Sequence, residues 1–123
     1  MIVVVATDLP LRPDQLRRLA VRATMGMARV GSFAGHGSGE LALAFSTTAG
    51  LPREGDGVRS PEFPERQLNL VYEATVEVTE ESVLNALCAG RDTTGRAGRF
   101  VPGLLDDPAR LERLREIDRF FEV

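Results

Sequence analysis

The first seven residues, MIVVVAT, make an unbroken apolar run dominated by β-branched side chains, the pattern of a strand covered on both faces. DLPLRP interrupts it. Pro13 then stands where a helix can start, because proline needs no N–H there and its φ is already helical. Over residues 13–30, Leu16, Leu19, Ala20, Ala23, Met27 and Val30 recur at helical spacing, while Arg17, Arg18, Arg22 and Arg29 fall elsewhere around the turn. Gly31 is a natural stop. A second apolar run, ELALAFST over residues 40–47, predicts a second strand.

Residues 48–65 hold three prolines and three glycines without periodicity and read as a long loop. The following stretch to Gly90 is rich in β-branched residues, yet Leu68, Val71, Thr75 and Val78, or Leu68, Tyr72 and Thr75, share one helical face. It predicts a helix. Thr79, with Glu80, Glu81 and Ser82 after it, resembles a fresh N-terminus, so a kink is expected near Val78–Thr79. Residues 91–103 read as a loop. Asp107 then caps a last helix, with Pro108 in its first turn and Leu111, Leu114, Ile117 and Phe121 on one face.

The predicted order is β-α-β-loop-α-loop-α, and it leaves a deficit. Two strands do not make a stable sheet by themselves. Either further strands hide in the pattern, or a partner polypeptide supplies them. At 123 residues the chain has the size of a single domain, 1–123. With 43% hydrophobic and 27% charged residues it is ordinary globular material, and a net charge of −3 with no basic face argues against nucleic acid as a partner. The longest apolar run is too short to span a bilayer and lacks the basic start of a secretory leader; a bacterial cytoplasmic setting is the expectation. The single cysteine, Cys88, excludes an internal disulfide and is expected to be a small core residue.

The stretch that fits none of these elements is GHGSGE, residues 35–40. Alternate glycines leave His36, Ser38 and Glu40 as the only side chains on a nearly unhindered backbone, which suits close approach by a ligand or another chain. A flexible connection is the plainer alternative. One histidine among scattered carboxylates has no metal-ligand spacing, so no metal and no cofactor is expected. A phosphate loop is a poor fit as well, because such loops follow a strand and open a helix, and this one does the reverse. Asp8, just beyond the first strand, is expected to cap a turn.

IVVVATDLPLRPDQLRRLAVRA, then GSGELALAFST, then TEESVLNALCAG, TTGRAG and VPG together resemble the β-chain of the DmpA/BapA family. These are the L-aminopeptidase D-Ala-esterases and β-peptidyl aminopeptidases, made as one precursor that cuts itself into a large α-chain and a small β-chain. The resemblance runs from Ile2 to about Gly103 and weakens over residues 48–65 and in the last helix. It implies an α+β fold, an αββα sandwich of the N-terminal-nucleophile type completed by strands of the α-chain, which would cover the missing sheet. It also implies a homo-oligomer of αβ units acting on small peptides, amides or esters, with no cofactor, nucleic acid or membrane involved.

In that family the β-chain opens with a serine or threonine whose hydroxyl is the nucleophile and whose freed α-amine is the base. An α-amine titrates near 8, far closer to neutrality than a lysine. By resemblance the nucleophile belongs just ahead of Met1. The thioether of Met1 has no proton to give up, so the sequence as it stands is expected to give no turnover. The family's active-site serine and acidic residue fall on Ser38 and Glu40. The expectation is that Ser38 hydrogen-bonds the nucleophile, while Glu40 orients Ser38 and holds the substrate's ammonium. His36 is a secondary candidate for substrate binding. Two rivals remain: a non-catalytic subunit or fragment, and a relative acting on another amide, of pantetheine or nylon-oligomer type.

Overall fold

In the computed structural model, which describes residues 1–48 and 63–119, the chain divides into two compact units, Met1–Glu81 and Ser82–Val123. The first unit opens with β1 (Ile2–Thr7), α1 (Pro13–Arg29) and β2 (Leu41–Ser46). β1 and β2 pair in parallel, Ile2 opposite Leu41 through to Thr7 opposite Ser46. After a short 3-10 turn at Glu65–Gln67 comes α2 (Leu68–Ala89), whose last turns belong to the second unit. The greater part of the expected loop, residues 49–62, lies outside the described residues.

The strands differ from the expectation of two covered faces. Burial alternates strictly along both: Val3, Val5, Ala42 and Ala44 are half-buried on one face. On the other face Ile2, Val4, Leu41, Leu43 and Phe45 are exposed, Ile2 to 72%. The covered face belongs to a core of Leu11, Leu19 and Leu68, with Val5, Ala44, Val71 and Tyr72 packed around it. The apolar composition therefore encodes two coverable faces, of which the described residues cover one.

Helix α1 keeps the predicted boundaries. It buries Leu19, Ala23 and Met27 as expected, but also Gln15 and Gly26, which a purely apolar pattern passes over. Gln15 is wholly buried because every polar atom is used: its Oε1 accepts from the Arg12 N–H at 3.0 Å, and its Nε2 donates to Phe63 O and Glu65 Oε1. Glu65 also accepts from Arg12 at 2.7 Å and Arg18 at 3.0 Å.

Residues 68–89 form one helix, and the bend expected near Val78–Thr79 does not interrupt it. Its buried stripe is Leu68, Thr75, Val76 and Thr79 rather than one ending on Val78, which is 52% exposed. Threonine can be buried there because its hydroxyl bonds back to the preceding turn: Thr75 Oγ1 donates to Val71 O, and Thr79 Oγ1 to Thr75 O. The turn after β1 is capped by Thr7, whose Oγ1 accepts from the Leu9 N–H at 3.1 Å, and not by Asp8. Asp8 contributes its carbonyl, which accepts from Thr48 Oγ1.

In the second unit, the segment read as a loop contains a short antiparallel ladder, β3 (Thr93–Thr94) with β4 (Phe100–Val101). The reversal depends on Ala97 and Gly98, both at positive φ, a local geometry that no hydrophobic period reports. Asp106 closes the unit: its carboxylate accepts from the Asp92 N–H and the Arg91 guanidinium, in that order of effect, and both hold its carboxyl below the usual range. The last helix, α3 (Pro108–Arg119), is capped as predicted, Ala109 N–H donating to Asp107 Oδ1 at 3.0 Å. Leu114 and Ile117 on its expected apolar face are exposed, and Phe121 lies outside the described residues. Cys88 is exposed too, contrary to its expected core position. Its helical neighbours Leu84 and Leu87 are similarly bare, so the apolar character of this turn is not used among the described residues. No helix among them is long and apolar enough to cross a membrane.

Candidate active site

The candidate residues lie between the end of α1 and the start of β2. α1 ends in a Schellman closure: the C-cap is Val30, Gly31 follows at φ +94°, its N–H donating to Ala28 O at 3.0 Å and the Ser32 N–H to Met27 O at 3.1 Å. Glycine is required at that φ, since any Cβ would crowd the backbone. The chain then passes Phe33, exposed to 88%, and Ala34, held at φ +51°. A turn follows in which the Ser38 N–H donates to Gly35 O at 2.9 Å. Only at Leu41 does the strand begin.

Ser38 and Glu40 are brought into one cavity of about 640 Å³, whose wall also holds Thr24 and Ala28 of α1 with Ser32, Phe33 and Ala34. They meet there through the Gly35–Ser38 turn and not by strand alternation, because Ser38 precedes the strand. The carboxylate of Glu40 does not bond Ser38. Its Oε1 accepts from Ser32 Oγ at 2.5 Å, and its Oε2 is buried without a hydrogen-bond partner among the described residues. His36 is exposed and is not part of the cavity wall. Cβ atoms added at Gly37 and Gly39 would meet nothing within 4 Å among the described residues, so these leave the space in front of both open.

The first residue reaches this site directly. The Met1 amine donates to Gly39 O at 2.9 Å and Met1 O accepts from the Leu41 N–H at 3.0 Å, which carries the parallel ladder one step past Ile2. Met1 thus sits opposite Glu40. Among the described residues no group of three His, Cys, Asp or Glu side chains is placed to hold a metal ion. Ser32 is the residue that sequence reasoning passed over. Its signal was the glycine before it: a serine just after a helix-ending glycine has a fixed position, and Glu40 lies within its reach.

Comparison with known proteins gives this geometry a context. The model of peptidase family S58 matches residues 1–101. The chain is 45% identical over 106 residues to the β-peptidyl aminopeptidase BapA of Sphingosinicella microcystinivorans, covering 85% of this chain and 27% of that protein. Its structure resembles the PH0078 protein of Pyrococcus horikoshii OT3, with a TM-score of 0.85 and 34% identity over 98% of this chain and 33% of that one. It also resembles the L-aminopeptidase D-Ala-esterase/amidase of Ochrobactrum anthropi, at TM-score 0.81 and 38% identity over 95% of this chain and 34% of that one. The latter is described as a prototype of the serine aminopeptidases and a variant of the N-terminal-nucleophile hydrolase fold, and the α+β fold expected from the resemblance is of this type. The chain spans about a third or less of the length of each of these proteins.

Proposed function

The chain belongs to peptidase family S58, and from that premise we propose that it is the small, β portion of a self-processed aminopeptidase or amidase. The observation that carries this reading is the ladder between Met1 and Gly39. Continued one residue further back in the same register, a preceding residue would stand opposite Gly39, between Ser38 and Glu40. A serine or threonine there would bring its hydroxyl and its freed amine to the mouth of the cavity.

The chemistry then runs on those groups. The hydroxyl oxygen attacks the substrate's carbonyl carbon while its proton passes to the neighbouring α-amine. The tetrahedral adduct collapses, the leaving amine takes that proton, and an acyl-enzyme ester remains. Water repeats the cycle and frees the acid. Ser38 is assigned to hydrogen-bond the nucleophile, and the buried, half-unpartnered carboxylate of Glu40 to hold an ammonium, either the enzyme's own or the substrate's. An N-terminal ammonium on the substrate favours release of terminal residues over internal cleavage. The donors that stabilise the oxyanion are assigned to the α-chain.

The same α-chain is the proposed cover for the bare face of Ile2, Val4, Leu41, Leu43 and Phe45, because five exposed apolar side chains on one sheet face call for an apolar partner. αβ units assembling into a homo-oligomer complete the reading, with small peptides, amides or esters as substrates. Intact mass and N-terminal sequencing of the natively purified protein test it. A small chain opening with Ser or Thr, accompanied by a larger chain of the same precursor, is expected. A native start at Met1 with no second chain would overturn the enzyme reading and leave the non-catalytic subunit.

A further inference from the structure

We propose that Ser32 is the positioning residue of Glu40, fixing the carboxylate through the C-terminal closure of α1; this rests on the reading of Glu40 given above. Three observations carry it. The Ser32 Oγ–Glu40 Oε1 distance of 2.5 Å is that of a short hydrogen bond to a charged oxygen, the strong class. The other oxygen, Oε2, is buried with no partner among the described residues, so the bond from Ser32 is what determines where the carboxylate lies. Ser32 itself is not free to wander. Its N–H is tied to Met27 O, and Met27 is wholly buried in the core.

The result is a rigid chain of contacts from the core through Met27, the φ +94° turn at Gly31 and the Ser32 hydroxyl to the carboxylate. Such a chain holds a charged group in place at the moment of reaction, where a shift of about 1 Å can cost 100-fold in rate. Without the hydroxyl, Glu40 loses the one hydrogen bond its carboxylate has among the described residues, and other side-chain rotamers become accessible. Loss of the hydroxyl also leaves both carboxylate oxygens without a hydrogen bond among the described residues, which costs some stability. The kinetic penalty is large because position is what the hydroxyl supplies.

The test uses the complete assembled enzyme and turnover of an aminoacyl p-nitroanilide. Ser32→Ala is expected to lower kcat/KM roughly 10- to 100-fold in a protein that still folds and assembles, and Ser32→Thr, which keeps the hydroxyl, to restore it. In a Glu40→Ala background, Ser32→Ala should cost nothing further, because it acts only through Glu40. An unchanged kcat/KM in Ser32→Ala overturns the proposal. So does an equal loss in both backgrounds, or a Ser32→Ala protein that fails to assemble, since the hydroxyl would then be structural. Full activity in Glu40→Ala alone would overturn the reading of the site instead, on a separate arm.

Discussion

Gly26 of α1 lies so close to the Val76 carbonyl of α2 that a Cβ at Gly26 would stand 2.5 Å from that oxygen and 2.7 Å from Thr79 Cβ. Both obstacles are rigid: one is backbone and the other is a threonine whose hydroxyl is tied to Thr75 O. In an isolated helix alanine is better than glycine by about 1 kcal/mol. Here the packing decides. Gly26→Ala is expected to destabilise by roughly 1 to 3 kcal/mol net of that gain, read as a lower urea midpoint, and a midpoint at or above wild type would contradict the close packing.

The carboxylates of Glu65 and Asp14 give the fold an acid limit. Glu65 is held below its ordinary value of 4.5 chiefly by Arg18 and then Arg12, and Asp14 below 3.8 by Arg12 and then Arg18. A depressed carboxylate binds fewer protons in the folded state, so its contribution is full above the ordinary value and is lost as pH falls through the depressed one. Thermal stability should therefore fall on acidification below about pH 4.5. Glu65→Gln should flatten that slope, and added salt should weaken it, because these side chains are half exposed. An identical acid slope in wild type and Glu65→Gln would exclude the network as its source.

Leu43 stands at the centre of the bare sheet face, 58% exposed between Leu41 and Phe45. If the α-chain covers that face, a carboxylate there would be desolvated without a partner. Leu43→Asp is expected to abolish co-purification of the two chains. A substitution that leaves the complex intact would show that the face stays open to solvent.

Ser38 and His36 sit two residues apart but differ in placement, since only Ser38 lines the cavity with Glu40. Ser38→Ala should reduce kcat for an aminoacyl anilide by about 100-fold or more, the scale of a lost proton-handling contact. His36→Ala should leave kcat/KM unchanged. The opposite pattern in the two variants would move the site to the tip of the turn.

Much of the chain was legible before any coordinates. The β-branched run, Pro13, Gly31 and Asp107 each act through local backbone sterics or a neighbouring N–H, and each lies where the sequence put it. The bend near Val78–Thr79 was misread because threonine looks like a cap in one dimension, whereas in α2 its hydroxyl bonds back to the helix. Cys88 was misread because hydrophobicity records what a residue tolerates, not what covers it. Gln15 and Gly26 escaped notice because their burial depends on Phe63 and on Val76, roughly fifty residues away in each case.

By itself, then, the sequence determined the local elements, their order, and which side chains were candidates for chemistry. These are short-range matters of φ, capping and period. Only the tertiary structure decided that the first strand runs beside the glycine turn, that Ser38 and Glu40 share a cavity, and that Glu40 is held by Ser32 and not by Ser38. Those are distances between segments, and they depend on a register and a helix end that no single stretch of residues encodes alone.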